Sequence, residues 1–302
     1  TYHLATRVGE VANRVLSVGD LGRAKRLSAF LEPEPGLGEL FVRESSRGFV
    51  TITGRYKGVP VSIITTLMGT PNMDFMVRES RAVVDGQMAI ARLGTCGILL
   101  PNVKVGSVLV AAEGAVSVSR NPDAFAMQGT EEGTVSLLEE SIDMVTIPHY
   151  LISKPVPAST SLSSLLVNKL GGANLSVVTG LNATACSFYS SQGRVDNAFM
   201  DCNGSLLLEL RLKYPQACSL EMETFHLLDL ARCSKGTIKA SAACIGLACR
   251  TTNDFLDLAL LPDIERKAGK AVLEALVSCE LEDDASMAAP RDNVDYVWQT
   301  SL

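Results

Sequence analysis

Short apolar runs alternate along this chain with stretches whose apolar residues recur every three or four positions. Runs of four to eight bounded by turn residues suit buried strands, and the three-to-four spacing suits helices packed over them, so the pattern predicts an α/β sheet. Arg14–Gly19 reads as a first strand ending in a Gly-Asp turn, followed by a helix over Gly22–Leu31. Phe49–Gly54 and Val59–Thr66 flank Tyr56-Lys57-Gly58, a hairpin signal, and Asn72–Val84 has helical spacing. Ala89–Gly94 is a buried strand running into Thr95-Cys96-Gly97, and Val105–Ala112 is a valine-rich strand.

Between about 120 and 172 the pattern loosens around Asn121-Pro122, the polar run Gln128–Gly133 and Lys154–Pro157. That segment reads as surface elaboration containing one short helix, Ser161–Leu170. Strand character resumes at Asn174–Gly180, helices are expected over Leu206–Leu212 and Glu223–Cys233, and Ile238–Leu247 is a long apolar strand. After Pro262, the spacing of Ile264, Ala268, Ala271, Val272, Ala275 and Leu276 marks a last amphipathic helix, and the tail from Glu280 is acidic and irregular. With no repeat and no linker, residues 1–302 read as one domain.

Composition narrows the classes. The chain has 302 residues, 47% hydrophobic and 20% charged, which allows a sizeable core. Its net charge of −6 comes without a basic patch, which argues against a nucleic-acid partner. No apolar stretch reaches eighteen residues, so no membrane partner is expected. The eight cysteines form no C-x-x-C pair and most sit in apolar runs, so reduced, mostly buried thiols and a cytoplasmic setting are expected. No targeting segment is read at the N-terminal end, where Glu10 interrupts the acid-poor pattern of a transit peptide.

Three motifs could carry chemistry. Gly19-Asp20-Leu21-Gly22-Arg23 joins a strand to a helix, where backbone amides and the helix N-terminus favour an anion and Arg23 adds donors; an ordinary turn with a surface arginine fits the same residues. Arg92-Leu93-Gly94-Thr95-Cys96-Gly97 ends an apolar strand, and an arginine there needs an anionic partner, either a salt bridge or a bound phosphate. Leu220-Glu221-Met222-Glu223-Thr224 stands at a strand-to-helix junction. A carboxylate there can accept from a vicinal diol, or can simply favour the helix dipole.

Taken in order, these motifs resemble the nucleoside phosphorylase superfamily, most nearly its uridine-cleaving members, over about Tyr2 to Cys279. The resemblance implies a single-domain three-layer α/β/α fold around a mixed, partly barrel-like central sheet. It also implies pentosyl transfer to inorganic phosphate as co-substrate, with no organic cofactor. By the same resemblance Gly19, Arg23, Arg92 and Thr95 would bind phosphate, joined by Arg47 from a neighbouring subunit. Met222 and Glu223 would bind ribose, joined by His3 reaching across to the 5′-hydroxyl. A homo-oligomer, at least a dimer with shared sites, would follow. A structural cation at the dimer interface is compatible with the family, although Gly48 replaces an acidic residue linked to a monovalent cation there.

Base choice turns on Phe188-Tyr189-Ser190-Ser191-Gln192-Gly193-Arg194, which resembles the uridine-cleaving segment with a stacking phenylalanine followed by Gln-x-Arg. A glutamine amide matches an imide edge, and an arginine can support a carbonyl oxygen or charge on a leaving base. Purine-cleaving relatives carry an aspartate after the last strand. Here Arg250 occupies that place, with Asp254 out of register, which favours uracil and adds Arg250 to Arg92 and Glu223 as expected catalytic residues. The alternatives are a purine nucleoside phosphorylase, a nucleoside hydrolase of the same superfamily, and a non-catalytic nucleoside-binding homologue.

Overall fold

Five consecutive buried residues, Arg14–Val18, form β1, and Asp20 caps the following helix α1 (Leu21–Ser28) by accepting from the Arg23 amide at 2.8 Å. The structure, a computed structural model, describes residues 1–34, 38–126, 147–288 and 294–299. β2 (Phe41–Glu44), β3 (Val50–Tyr56) and β4 (Val59–Thr65) follow. Lys57 and Gly58 hold φ of 52° and 78°, the two left-handed residues that the predicted β3–β4 hairpin needs to match the strand twist. Next come α2 (Thr70–Val83), β5 (Met88–Ile98), β6 (Val108–Val110), β7 (Ala115–Arg120) and α3 (Pro122–Ala126). β8 (Tyr150–Ile152), α4 (Thr160–Gly172), β9 (Val177–Thr179), β10 (Leu181–Ala185) and α5 (Leu206–Lys213) lead to β11 (Ala217–Glu221), α6 (Thr224–Cys233), β12 (Ile238–Cys249) and α7 (Leu261–Val277).

The strands form one mixed sheet in the order β2-β3-β4-β1-β5-β11-β10-β7-β8, while β12 lies along β5 and carries β6 and then β9. Helices cover both faces. Leu27 of α1, Leu162, Leu166 and Leu170 of α4, and Val272, Leu273 and Leu276 of α7 share one fully buried cluster. Met73, Met76 and Val77 of α2 and Leu227 and Leu228 of α6 form the cluster on the opposite face. The result is the expected three-layer α/β/α architecture.

Several expectations change. The strand expected over Val105–Ala112 is confined to three residues, since Gly106 holds φ of 84°, and that expected over Asn174–Gly180 starts only after Asn174 at φ 57°. Segment 120–172 is more than elaboration. β8 pairs with β7, and α4 buries three leucines against the sheet; the run Gln128–Gly133 lies outside the described residues. β7 and β10 escape the apolar-run pattern because small and polar residues fill them. Asn182 and Thr184 of β10 are buried yet hydrogen-bonded, to Ser219 Oγ at 2.9 Å and Glu221 Oε1 at 2.8 Å. Described parts of the acidic tail are also docked: Arg14 Nη1 pairs with Asp284, Ser286 bonds Asn13, and Trp298 is buried. Among the described residues no disulfide forms, and Cys96, Cys218, Cys244, Cys249 and Cys279 are buried. No described helix is long and apolar enough to cross a membrane.

Candidate active site

A wedge opens beside β5. On one flank β12 follows the whole strand, while the other flank pairs with β1 only through Leu93 and with β11 only from Gly97. Gly94, Thr95 and Cys96 therefore have no strand partner on that flank among the described residues. Crevices where strands part are where open α/β sheets bind ligands. This differs from the sequence expectation, in which β5 ended before Thr95; the strand runs on because β12 supports it.

Period-two alternation then decides which way the chemistry faces. Ala89, Ala91 and Leu93 enter the cluster under α1, α4 and α7, while Met88 and Ile90 enter the one under α2 and α6. Arg92 shares the second face. It is buried, its Nε donates to Glu221 Oε2 at 3.2 Å, its Nη2 pairs with Glu223, and its Nη1 has no partner. Burial opposes the guanidinium charge, but Glu223 and Glu221 outweigh it and hold the Arg92 pKa above its ordinary value. The salt-bridge reading of this arginine is thus realised, with one donor left over.

Glu221 is the hub. It also accepts from Thr184 Oγ1 at 2.8 Å and from the Glu223 and Thr224 amides at 3.0 and 3.1 Å. Satisfying the first amide of α6 is therefore the work of Glu221, not Glu223. Glu223, at the N-cap position, makes no side-chain cap bond and instead accepts from the Gly69 amide at 2.6 Å. Burial pushes its carboxyl pKa up, with Arg92 opposing. Half-buried Met222 stands between the two glutamates, and its Cε lies 4.0 Å from where a Cβ on Gly69 would be. Thr224 Oγ1 is buried without a hydrogen-bond partner.

Arg23 approaches from the other face. One edge of its guanidinium is held by Glu265, with Nε and Nη2 at 2.9 and 2.8 Å from Oε1, and Nη1 donates to Leu93 O at 3.2 Å. The surface arginine of the plainer reading is excluded, since Arg23 is buried. Gly19 lies beside it at the end of β1, and half-buried Thr95 lies in register with Ile245 of β12.

A second cationic group meets β5 at Gly97, where β11 joins it. Ser190–Gln192 form a 3₁₀ turn closed by Gly193 at φ 62°. Arg194 Nη1 donates to Gln192 Oε1 at 2.5 Å and Phe188 O at 2.7 Å, and its guanidinium stacks 3.8 Å from the half-exposed Phe188 ring. Arg250, directly after β12, packs against Gly97, where a Cβ would come within 3.0 Å of its Cγ. Its Nη2 lies 3.5 Å from Gly193 O, and its buried Nη1 has no partner. Burial, then repulsion from Arg250, brings the Arg194 pKa down to about 10, and burial lowers Arg250 as well. No described carboxylate forms an ion pair with either. Asp254 is engaged elsewhere, accepting from Thr252 Oγ1 at 2.6 Å in an exposed turn.

His3 and Arg47 form no hydrogen bond with this group. His3 is held by Glu79, whose carboxylate takes the ring Nδ1 at 2.7 Å and the backbone amides of His3 and Leu4, and it stacks at 3.7 Å on Phe75. Arg47, exposed in the β2–β3 turn, donates to Tyr2 Oη at 2.9 Å. The two lie together on the surface. Among the described residues no group of three or more His, Cys, Asp or Glu converges on a possible metal position.

Sequence reasoning missed Glu221, Gly69, Glu79 and Glu265 as organisers. Glu221 was within reach, since it stands in the same Leu-Glu-Met-Glu segment. The other three act over separations of 76 to 242 residues, which no local pattern carries.

Fold and site define an α/β protein with a buried arginine–glutamate wedge, one arginine donor of which is left over, and an arginine pair that no described carboxylate neutralises. A model of the phosphorylase superfamily matches residues 13–279, and the chain belongs to that superfamily. A solved chain from a structural and catalytic analysis of two diverse uridine phosphorylases in the oomycete Phytophthora capsici is 44% identical, with a TM-score of 0.82 over 92% of this chain and 94% of that one. The uridine phosphorylase of Thermococcus kodakarensis is 27% identical across 100% of this chain and 93% of its own length. A DeoD-type purine nucleoside phosphorylase of Geobacillus kaustophilus is 34% identical, but over only 39% of this chain and 48% of its own.

Proposed function

We propose that this protein catalyses the reversible phosphorolysis of uridine to uracil and ribose 1-phosphate. The observation that carries the uracil assignment is the Arg194–Arg250 pair on Gln192 and Gly193, which lacks an acidic counter-charge among the described residues. The full-length likeness to uridine phosphorylases supports the same reading.

In this reading Arg23, Arg92 and Thr95, with Gly19, hold phosphate, and the unpartnered Nη1 of Arg92 is the donor that it meets. Glu223 and Met222 seat the ribose, with Glu223 accepting from the sugar hydroxyls. A phosphate oxygen forms its bond to C1′ as the C1′–N1 bond breaks, and that bond's electron pair leaves with the base. Uracil spreads the charge over its carbonyl oxygens, where Gln192, Arg194 and Arg250 supply fixed donors in place of a general acid. The base then takes a proton from water. No organic cofactor enters this scheme. Exposed Arg47 and the Glu79-held His3 are suited to complete a neighbour's site, so a homodimer with shared sites, working in the cytoplasm, is part of the proposal.

Base release from uridine, inosine and thymidine, with and without phosphate, tests it. Uracil release that requires phosphate is expected. Inosine cleavage would instead indicate a purine enzyme, phosphate-independent release a hydrolase, and no turnover at all a binding homologue.

A further inference from the structure

Glu265 stands in the first turns of α7, with its side chain 3% exposed. A carboxylate this buried needs positive partners, and it has two. Oε1 takes both Nε and Nη2 of Arg23, at 2.9 and 2.8 Å, and Oε2 takes Nη2 of Arg26. The side edge of the Arg23 guanidinium is thereby clamped, and its end-on edge faces inward: Nη1 reaches Leu93 O at 3.2 Å and lies 4.0 Å from where a Cβ on Gly19 would be. Leu93 is the neighbour of Arg92, and Gly19 follows the β1 residue paired with Leu93, so that edge points toward the wedge.

The competing carboxylate is Asp20, one turn away and 3.5 Å from Arg23 Nη2, with a half-exposed side chain. Without Glu265, Arg23 would be drawn to Asp20 and out toward solvent. The charge balance also fits. Glu265 divides its single charge between two guanidiniums, and the half-exposed Asp20 is screened by solvent, so Arg23 is oriented without its attraction for a dianion being cancelled.

We infer that Glu265 is a positioning residue for phosphate, acting through Arg23. This rests on the phosphorolytic reading above. It assigns Glu265 no contact with either substrate. What it sets is the phosphate affinity of a wedge whose nucleoside half, Glu223 with Gln192 and Arg194, is built on other elements.

The test measures KM for phosphate and for uridine separately in Glu265→Ala, in the isosteric Glu265→Gln, and in Glu265→Asp. A surface control, Lys57→Ala in the β3–β4 turn, removes a different ion pair to the same helix, Lys57–Glu274. The Ala and Gln variants are expected to raise the phosphate KM by about tenfold or more, which corresponds to loss of one well-placed ionic contact. Their uridine KM should stay within about twofold. Glu265→Asp should recover part of the loss, and Lys57→Ala should match the parent. Glu265→Gln preserves volume and one acceptor oxygen, so it reads the clamp even if Glu265→Ala fails to fold. An unchanged phosphate KM in folded Glu265→Gln, or equal rises in both KM values, would overturn the inference. Calorimetric titration with inorganic phosphate alone keeps the two proposals apart. If the parent protein binds phosphate without cleaving uridine, the functional reading fails while the clamp remains measurable.

Discussion

The Gly69 amide donates to Glu223 Oε1 at 2.6 Å, tying the loop after β4 to the head of α6. Gly69 holds φ 91° and ψ 161°, a region essentially closed to residues with a side chain, although a Cβ there would meet nothing closer than 3.8 Å. Space is therefore not what requires glycine; backbone conformation is. Gly69→Ala should cost about 1–3 kcal/mol in stability and turn the amide away from Glu223. Calorimetry should show the lowered Tm, and kinetics a raised KM for uridine with the phosphate KM little changed. An unaltered uridine KM would mean that Glu223 keeps its place unaided.

Among the described residues Arg92 is the one cationic ion-pair partner of the two buried glutamates, and it also carries the donor assigned to phosphate. Arg92→Ala should reduce kcat for phosphorolysis by about a hundredfold or more. It should also destabilise the fold, since Glu221 and Glu223 would face each other uncompensated. The sign with pH is definite. Glu223 is already raised by burial, and loss of Arg92 raises it further. A raised folded-state value gives stability that is present at low pH and lost as pH rises through it. The Tm gap between parent and variant should widen as pH rises above the ordinary carboxylate range. Near-normal turnover in the variant would remove Arg92 from the phosphate site.

Arg194 invites the opposite trade between stability and activity. Burial and Arg250 both disfavour its charge, so Arg194→Ala relieves a repulsion while removing a donor to the base. The kcat/KM for uridine should fall by about 10- to 100-fold, the range for a hydrogen bond to a charged group. Tm should hold steady or rise, and the phosphate KM should not move. A large fall in Tm would show the pair to be structural.

Legibility in the sequence followed the range of the interaction. The β3–β4 hairpin was readable because Lys57-Gly58 supplies both left-handed residues locally, and α7 because its apolar spacing is regular from Ile264 to Leu276. β10 was not, since Asn182 and Thr184 look like loop residues until Ser219 and Glu221 satisfy them. The buried surroundings of Arg92 followed from its apolar run, but the wedge did not, because it depends on β1 and β11 leaving β5 at different points. Arg23 shows the limit most plainly. Its place after β1 could be read, whereas its burial depends on Glu265, 242 residues away.

Glu79 supplies a pH-dependent prediction for the N-terminal segment. Burial alone would raise its carboxyl pKa, yet the Leu4 and His3 amides and the His3 ring more than offset that and hold it below the ordinary value. A depressed folded-state value gives stability that is present above the ordinary carboxylate pKa and lost as pH falls through the folded one. The segment should therefore stay docked near neutrality and loosen only in acid. Hydrogen exchange at the His3 and Leu4 amides should report this, with protection falling below about pH 4, the ordinary carboxylate range. In Glu79→Ala the two amides lose their acceptor and protection should be weak at every pH, at a cost of about 1–3 kcal/mol in local stability. If His3 also serves a neighbouring ribose, the same variant should raise the uridine KM at neutral pH and leave the phosphate KM alone. Lost protection with unchanged kinetics would confine His3 to anchoring its own subunit.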